Sequence, residues 1–276
     1  MFTKATIQSF LNIHMSKCTK LWNKCNRPKS AEIIKTVTSS NLVTPCATRW
    51  NSLYDSVQKL IEVKNRLDEL CYKLEISTFN EEEIEYLEEY AKVMQPIAEA
   101  IDFLQREQNM FFGYFIPTLL SIKIKMRRLA SENMKYLTET NIQMQSKLMQ
   151  RFEKYFSLHS DSWDAVIAAI LIPDIKLKFC KSLLEVLIYT LEDVRDKFKE
   201  YAMEFKRQPV GEDNNLQPSI RVNTSFLEFD EESTDENRYT CCHGGAIATE
   251  VVLYLNDEDR SIEALHRFPT IKKKCF

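Results

Sequence analysis

The chain has 276 residues and a mass of 32.5 kDa, with 44% hydrophobic and 28% charged residues, enough to bury a core in one large domain or two small ones. Only 4 residues are Gly, which argues against the tight hairpin turns of an all-β fold, and neither G-x-G-x-x-G nor G-x-x-x-x-G-K is present, which argues against dinucleotide-binding and nucleotide-hydrolysing enzymes. The 37 basic and 40 acidic side chains leave a net charge of −3, which says little until it is resolved along the chain.

The pattern is helical from the start. Residues 3–25 place Ile7, Phe10, Leu11, His14, Met15, Cys18, Leu21, Trp22 and Cys25 at steps of three and four, one apolar stripe of a helix. Pro28 follows, and Ser30 is the expected cap of a short helix carrying Ile33, Ile34 and Val37. A long helix is expected from Thr48 to about Leu74, with Trp50 as its first apolar residue and Lys64 interrupting the stripe. Asn80 and Glu83 form a capping box, with Phe79 and Ile84 placed as a hydrophobic staple; the helix they open runs to Leu104 with a kink expected at Pro96. Further helices are expected after Gly113 (Phe115 to Leu129) and over 139–157. Residues 163–172 are apolar nearly all round and belong at a core centre. A single helix is expected over 176–207, carrying Leu177, Cys180, Leu184, Leu187, Leu191, Val194, Phe198, Tyr201 and Phe205 on one face. Residues 208–240 hold few large apolar residues, with eight acids against two Arg over 212–238, and read as an acidic disordered linker. Short helices near 246–255 and 259–267 close the pattern. The expected fold class is all-α: a multi-helix bundle over 1–207, the flexible linker 208–240, and a short C-terminal helical segment, 241–276.

Charge is segregated. Residues 1–50 hold eight Lys or Arg against one acid, residues 75–107 ten acids against two bases, and residues 120–154 eight bases against three acids. Two readings stand: a basic segment neutralises phosphates, or basic and acidic helices pack side by side and offset each other.

No segment approaches the roughly 18 apolar residues of a membrane span, and the N-terminal residues lack the apolar run of a secretory signal. The eight cysteines are irregularly spaced and are expected to be free thiols of a reducing compartment. Cys241-Cys242-His243 lacks a second ligand pair at zinc spacing, and His14, Cys18 and Cys25 on an apolar stripe read as core, so no metal is expected. No nucleophile motif is found, and no cofactor or small-molecule substrate is expected.

One block differs in kind: Thr44-Pro45-Cys46-Ala47-Thr48-Arg49-Trp50-Asn51-Ser52. An Arg beside a Trp at a helix start, after a basic segment, suits phosphate contact and stacking on an unpaired base. The alternative is structural: Trp50 opens the core stripe and Arg49 is an ion-pair partner.

Leu21-Trp22-Asn23-Lys24 followed by Thr48-Arg49-Trp50-Asn51-Ser52-Leu53-Tyr54-Asp55 resembles hAT-superfamily transposases, particularly domesticated relatives with BED zinc fingers. Tyr90-Ala91-Lys92-Val93-Met94-Gln95-Pro96, Phe112-Gly113-Tyr114-Phe115-Ile116-Pro117 and Ala168-Ala169-Ile170-Leu171-Ile172-Pro173-Asp174 are similar to later blocks in the same order, and residues 250–273 resemble the approach to the family's C-terminal signature. The resemblance implies the all-helical insertion that interrupts an RNase H-like catalytic domain. It also implies that the family's catalytic acids, and its BED finger, are absent from this sequence, so no two-metal cleavage is expected. It assigns Arg49 and Trp50 to DNA contact; the neighbouring Lys20, Lys24 and Arg27 are the expected phosphate contacts. The expected function is a non-catalytic, transposase-derived nuclear protein with weak, salt-dependent DNA affinity, or with self-association or a protein partner. The alternative is a helical interaction module without DNA affinity.

Overall fold

In the computed structural model, residues 15–106, 110–185, 187, 189–204, 223–229 and 245–275 are described. Among them every regular element is helical and none is a strand. Expectations for residues 3–14, for Cys241-Cys242-His243 and for most of the acidic segment lie outside the described residues. The chain divides into two compact units, Met1–Ile101 with Met126–Lys147, and Asp102–Lys125 with Leu148–Phe276. This differs from a single helical body over 1–207: the division falls within the helices Glu81–Leu104, Phe115–Ala130 and Thr138–Arg151, where no break in composition marks it.

In the first unit, α1 is Ser16–Cys25 and α2 is Pro28–Thr38. Pro28 is the first residue of α2, where its missing N–H is no loss. Ser30 therefore lies inside the helix and does not cap it; Arg27 holds the cap position with no side-chain bond. The expected long helix over 48–74 is two helices, α3 (Ser52–Glu62) and α4 (Leu67–Lys73), joined by a tight turn at Lys64–Arg66. That turn buries none of its residues. Its three-residue period advances the phase by about 60°, within the width of an apolar stripe, so Val57 and Leu60 before it and Leu67 and Leu70 after it still share one core. α4 ends at Glu75 in the left-handed region, φ 54°. Glu75 N–H donates to the Tyr72 carbonyl (3.2 Å) and Ile76 N–H to that of Cys71 (2.9 Å), a Schellman motif built without glycine.

α5 (Glu81–Leu104) begins with the expected capping box: Glu83 N–H donates to Asn80 Oδ1 at 2.8 Å and Asn80 N–H to Glu83 Oε2 at 2.9 Å. Phe79 is buried, and Ile84 packs against the same core. α5 runs on through the buried Pro96. α6 is Phe115–Ala130 and α7 is Thr138–Arg151. Glu89 of α5, itself buried, accepts the backbone N–H groups of Lys135 (2.6 Å), Tyr136 (2.8 Å) and Leu137 (3.0 Å), and so holds the approach to α7. The expected 139–157 helix breaks at Phe152, leaving a one-turn α8 (Glu153–Phe156).

In the second unit, α9 (Trp163–Ile170) buries Ala165, Val166, Ile167, Ala169 and Ile170, as its all-round apolar pattern requires. Gly113 meets it at very close range. A Cβ at Gly113 would lie 2.2 Å from the Ala168 carbonyl oxygen, so only glycine fits. The expected 176–207 helix is instead two helices, α10 (Cys180–Leu184) and α11 (Leu191–Glu204). The reason is local. Thr190 and Asp193 cap each other, Asp193 N–H to Thr190 Oγ1 at 3.2 Å and Thr190 N–H to Asp193 Oδ2 at 2.6 Å, which restarts the helix at Leu191. α12 (Ala246–Asn256) packs on α11 and on α13 (Pro269–Cys275). Glu250 accepts N–H groups from Thr270 (2.6 Å) and Ile271 (3.1 Å) at the start of α13. The expected helix near 259–267 is a 3₁₀ segment, Ile262–Arg267.

The expectation of an exposed linker over 208–240 does not hold at 223–229. Phe226 is buried beside Phe103 (5.9 Å between centroids), the Lys125 ammonium sits 4.1 Å above its ring, and Glu228 N–H donates to Ser121 Oγ at 2.9 Å. One aromatic residue among acids is enough to anchor the segment, and composition averages it away.

Candidate nucleic-acid interface

The block singled out by composition is a closed turn. Ser52 is the first residue of α3 and is buried. Its Oγ accepts the Cys46 N–H at 3.0 Å and lies 2.6 Å from the Cys46 carbonyl and 3.0 Å from that of Arg49, which share its single proton. Arg49 N–H donates to the Cys46 carbonyl at 3.2 Å. Asn51 Nδ2 donates to the Ala98 carbonyl of α5 at 2.8 Å and ties the turn to the bundle. Residues 46–51 are thus consumed in a turn, which is why α3 starts at Ser52 rather than Thr48.

This removes Trp50 from the core stripe. Its side chain is 85% exposed, while Val57 and Leu60 supply the buried face. Burying a large apolar side chain yields about 1.5–3 kcal/mol, which this indole forgoes in the free protein. The structural alternative for Trp50 is therefore corrected: the helix that would have carried it inward begins two residues later. For Arg49 the alternative is met only weakly. Its guanidinium lies 3.9 Å from the Asp55 carboxylate, but its side chain is 72% exposed, and such a surface pair contributes little. Backbone bonds pin the turn, and both Arg49 and Trp50 project from it.

Cys46 shares the turn. Its thiol is exposed and lies 3.0 Å from Thr48 Oγ1. Hydrogen bonding from Thr48 and the neighbouring backbone, with the charge of Arg49, lowers its pKa from the ordinary value. Cys18 and Cys71 are buried core thiols, pushed up to about 12 and about 11, first by burial. Among the described residues no group of three potential ligands could hold a metal ion.

The other expected contacts separate. Lys20, on α1, and Arg27, before α2, are exposed and make no ion pair among the described residues. Lys24 is committed internally: its ammonium donates to the Leu74 carbonyl at the end of α4, so it is withdrawn from the expected set. No hydrogen bond or ion pair joins Lys20 or Arg27 to the Arg49–Trp50 turn among the described residues. Much of the segregated charge is spent inside the first unit, with Lys17 on Glu83 (2.7 Å), Lys64 on Glu88 (2.7 Å) and Lys135 on Glu85 (3.1 Å). The reading in which acidic and basic helices offset each other describes α5 well. The acidic stretch 75–107 is correspondingly less of a surface for partners than its composition suggests.

Sequence reasoning selected Arg49 and Trp50 but gave no role to Ser52 or Asn51, which hold them. The available signal was a Ser followed at once by the apolar stripe of Leu53 and Val57, an ordinary helix-start pattern that moves the boundary past Trp50. Among the described residues, no helix is long and apolar enough to cross a membrane. No family model, curated protein or solved structure matches the chain.

Proposed function

We propose that the chain is a non-catalytic helical module derived from a hAT-type transposase, acting in the nucleus by weak, salt-dependent contact with DNA. Trp50 stacks on a base face, Arg49 holds the adjoining phosphate, and Lys20 and Arg27 add counter-charge. The observation that supports this most directly is the 85% exposure of Trp50 on a turn fixed by Ser52 and Asn51. A fixed turn presents the indole at little conformational cost, and the Arg beside it supplies the charge a nucleic acid needs.

The test is a titration of fluorescent single- and double-stranded DNA at about 50 mM and about 200 mM salt, with wild type, Trp50→Ala and Arg49→Ala. The expected result is binding at the lower salt that weakens steeply at the higher, and that drops about tenfold or more with Trp50→Ala, since base stacking is worth roughly 1–3 kcal/mol. Absence of binding at the lower salt refutes the reading, and equal binding by all three proteins refutes the assignment to this turn. An exposed indole is also a frequent anchor in protein interfaces, and Tyr72 of the same unit is 83% exposed. A protein that ignores DNA but self-associates through Trp50 in sedimentation would favour that second reading.

A further inference from the structure

The second unit encloses a cavity of about 370 Å³, formed by Tyr114 together with residues 172–174, 223–225 and 259–263. Four separate stretches of chain meet there, and their polar groups differ in how far they are already satisfied. Asp174 accepts Thr224 Oγ1 at 2.9 Å on Oδ2 and Lys178 Nζ at 3.3 Å on Oδ1. Each carboxylate oxygen has two lone pairs, so acceptor capacity remains. Asp259 likewise accepts two donors, the Arg267 guanidinium at 2.8 Å and the Ser261 N–H at 2.9 Å, and its bond to the cation is shorter than the one Lys178 makes with Asp174.

Two groups are not engaged. Tyr114 is 3% exposed, and its hydroxyl makes no hydrogen bond among the described residues. Burial, and after it the nearby charge of Asp174, raises its pKa to about 12, so it remains a neutral phenol. The ring is packed away while the hydroxyl lines the cavity, where it is available to hydrogen-bond whatever enters. At the rim, Arg260 is exposed and makes no ion pair among the described residues.

These groups select a ligand class by elimination. A simple anion drawn to Arg260 would also face the carboxylates of Asp174, Asp259 and Glu263. A simple cation drawn to Asp174 would face Arg260. A small molecule carrying both charges satisfies both. We propose that this cavity binds a zwitterion of amino-acid type, its carboxylate on Arg260, its ammonium on Asp174, and the Tyr114 hydroxyl as a neutral hydrogen-bonding group of the lining. This site is separate from the Arg49–Trp50 turn and does not depend on DNA binding.

The test is calorimetric titration of the full chain with each of the common amino acids in turn. Acetate and methylammonium serve as single-charge controls. At least one amino acid is expected to bind with a Kd below about 1 mM, and both controls about tenfold more weakly or worse. Arg260→Ala, an exposed position, is expected to weaken binding about tenfold or more, and the near-isosteric Tyr114→Phe about threefold or more, with the helical circular dichroism of both unchanged. Absence of saturable heat with every amino acid up to about 10 mM overturns the proposal. Binding that Arg260→Ala leaves intact, or a single-charge control that binds as well as the best amino acid, also overturns it.

Discussion

Glu89 carries a larger share of the first unit than its place on a charged helix suggests. Its carboxylate is buried and accepts three successive backbone N–H groups, Lys135 on Oε1 and Tyr136 and Leu137 on Oε2. These donors lead into α7, where no earlier turn supplies carbonyls. Glu89→Ala removes both acceptor oxygens and leaves three N–H groups without their partner, of which that of Leu137 is buried and those of Lys135 and Tyr136 partly so. Hydrogen bonds to a charged group are worth roughly 1.5–3 kcal/mol each, but they are not additive, so the expected loss is about 3 kcal/mol. Glu89→Gln supplies a finer test. Its amide oxygen can keep the two bonds made by Oε2, while its NH₂ would face the Lys135 N–H, donor against donor. The expected cost is about half that of the alanine variant. Urea unfolding followed by circular dichroism gives both values, and native-state hydrogen exchange at Tyr136 and Leu137 gives the local effect. A loss below about 1 kcal/mol for Glu89→Ala, or fast exchange at those amides in the wild type, refutes the reasoning.

Glu75→Gly is expected to stabilise the chain by about 0.5–1 kcal/mol, read from the urea midpoint, because glycine adopts the left-handed conformation at φ 54° without the strain of a Cβ. Gly113→Ala is expected to cost about 3 kcal/mol, since the added Cβ would meet the Ala168 carbonyl oxygen at 2.2 Å and Ile172 Cδ1 at 2.7 Å; thermal unfolding with an unchanged Tm would refute it. Lys176 is buried, donates to the Asp257 carbonyl at 2.5 Å, and lies 4.8 Å from the centre of the Tyr254 ring. Burial, then the charge of Arg260 against the attraction of Asp257 and Asp259, with Arg267 opposing as well, lowers its pKa to about 8. Between about 8 and 10.5 the unfolded chain binds the proton that the folded chain has lost, so this group makes stability rise with pH, by at most about 1.4 kcal/mol per pH unit, and its contribution is lost as pH falls through 8. Lys176→Met should flatten that slope, and parallel stability curves for the two proteins from pH 7.5 to 10.5 would refute the assignment.

The helical class was legible because periodicity records which side chains face a core, and those faces survive small changes in the backbone. The 48–74 stripe is real even though the helix is not continuous: the 64–66 turn keeps Leu67 and Leu70 in register with Val57 and Leu60. The same tolerance hides the breaks. A stripe from Leu177 to Phe205 reads as one helix, yet Thr190 and Asp193 form a new N-terminus in the middle of it. Capping is a contest between local hydrogen bonds and helix continuation, and one Thr-x-x-Asp decides it where apolar spacing is silent. The division into two units was not legible at all, because it falls inside three continuous helices where no linker composition announces it.

The candidate site shows the same contest with a functional consequence. Trp50 has the spacing of a core residue, and its chemistry alone gives no reason to place it outside. What turns it outward is the hydroxyl of Ser52, which closes residues 46–52 into a turn and delays the helix. Had the helix begun at Thr48, the indole would have fallen in phase with Val57 and been available to the core. The exposure of Trp50 is therefore a property of Ser52 as much as of the tryptophan. Ser52→Ala makes that separable. It deletes the bonds that close the turn without touching Arg49 or Trp50, at an expected cost of about 1–2 kcal/mol in stability. With the indole no longer held, its fluorescence anisotropy should fall and any DNA affinity should weaken although no contact to DNA has been removed. Unchanged anisotropy in Ser52→Ala would mean that the turn is held by Asn51 and its bond to Ala98 instead.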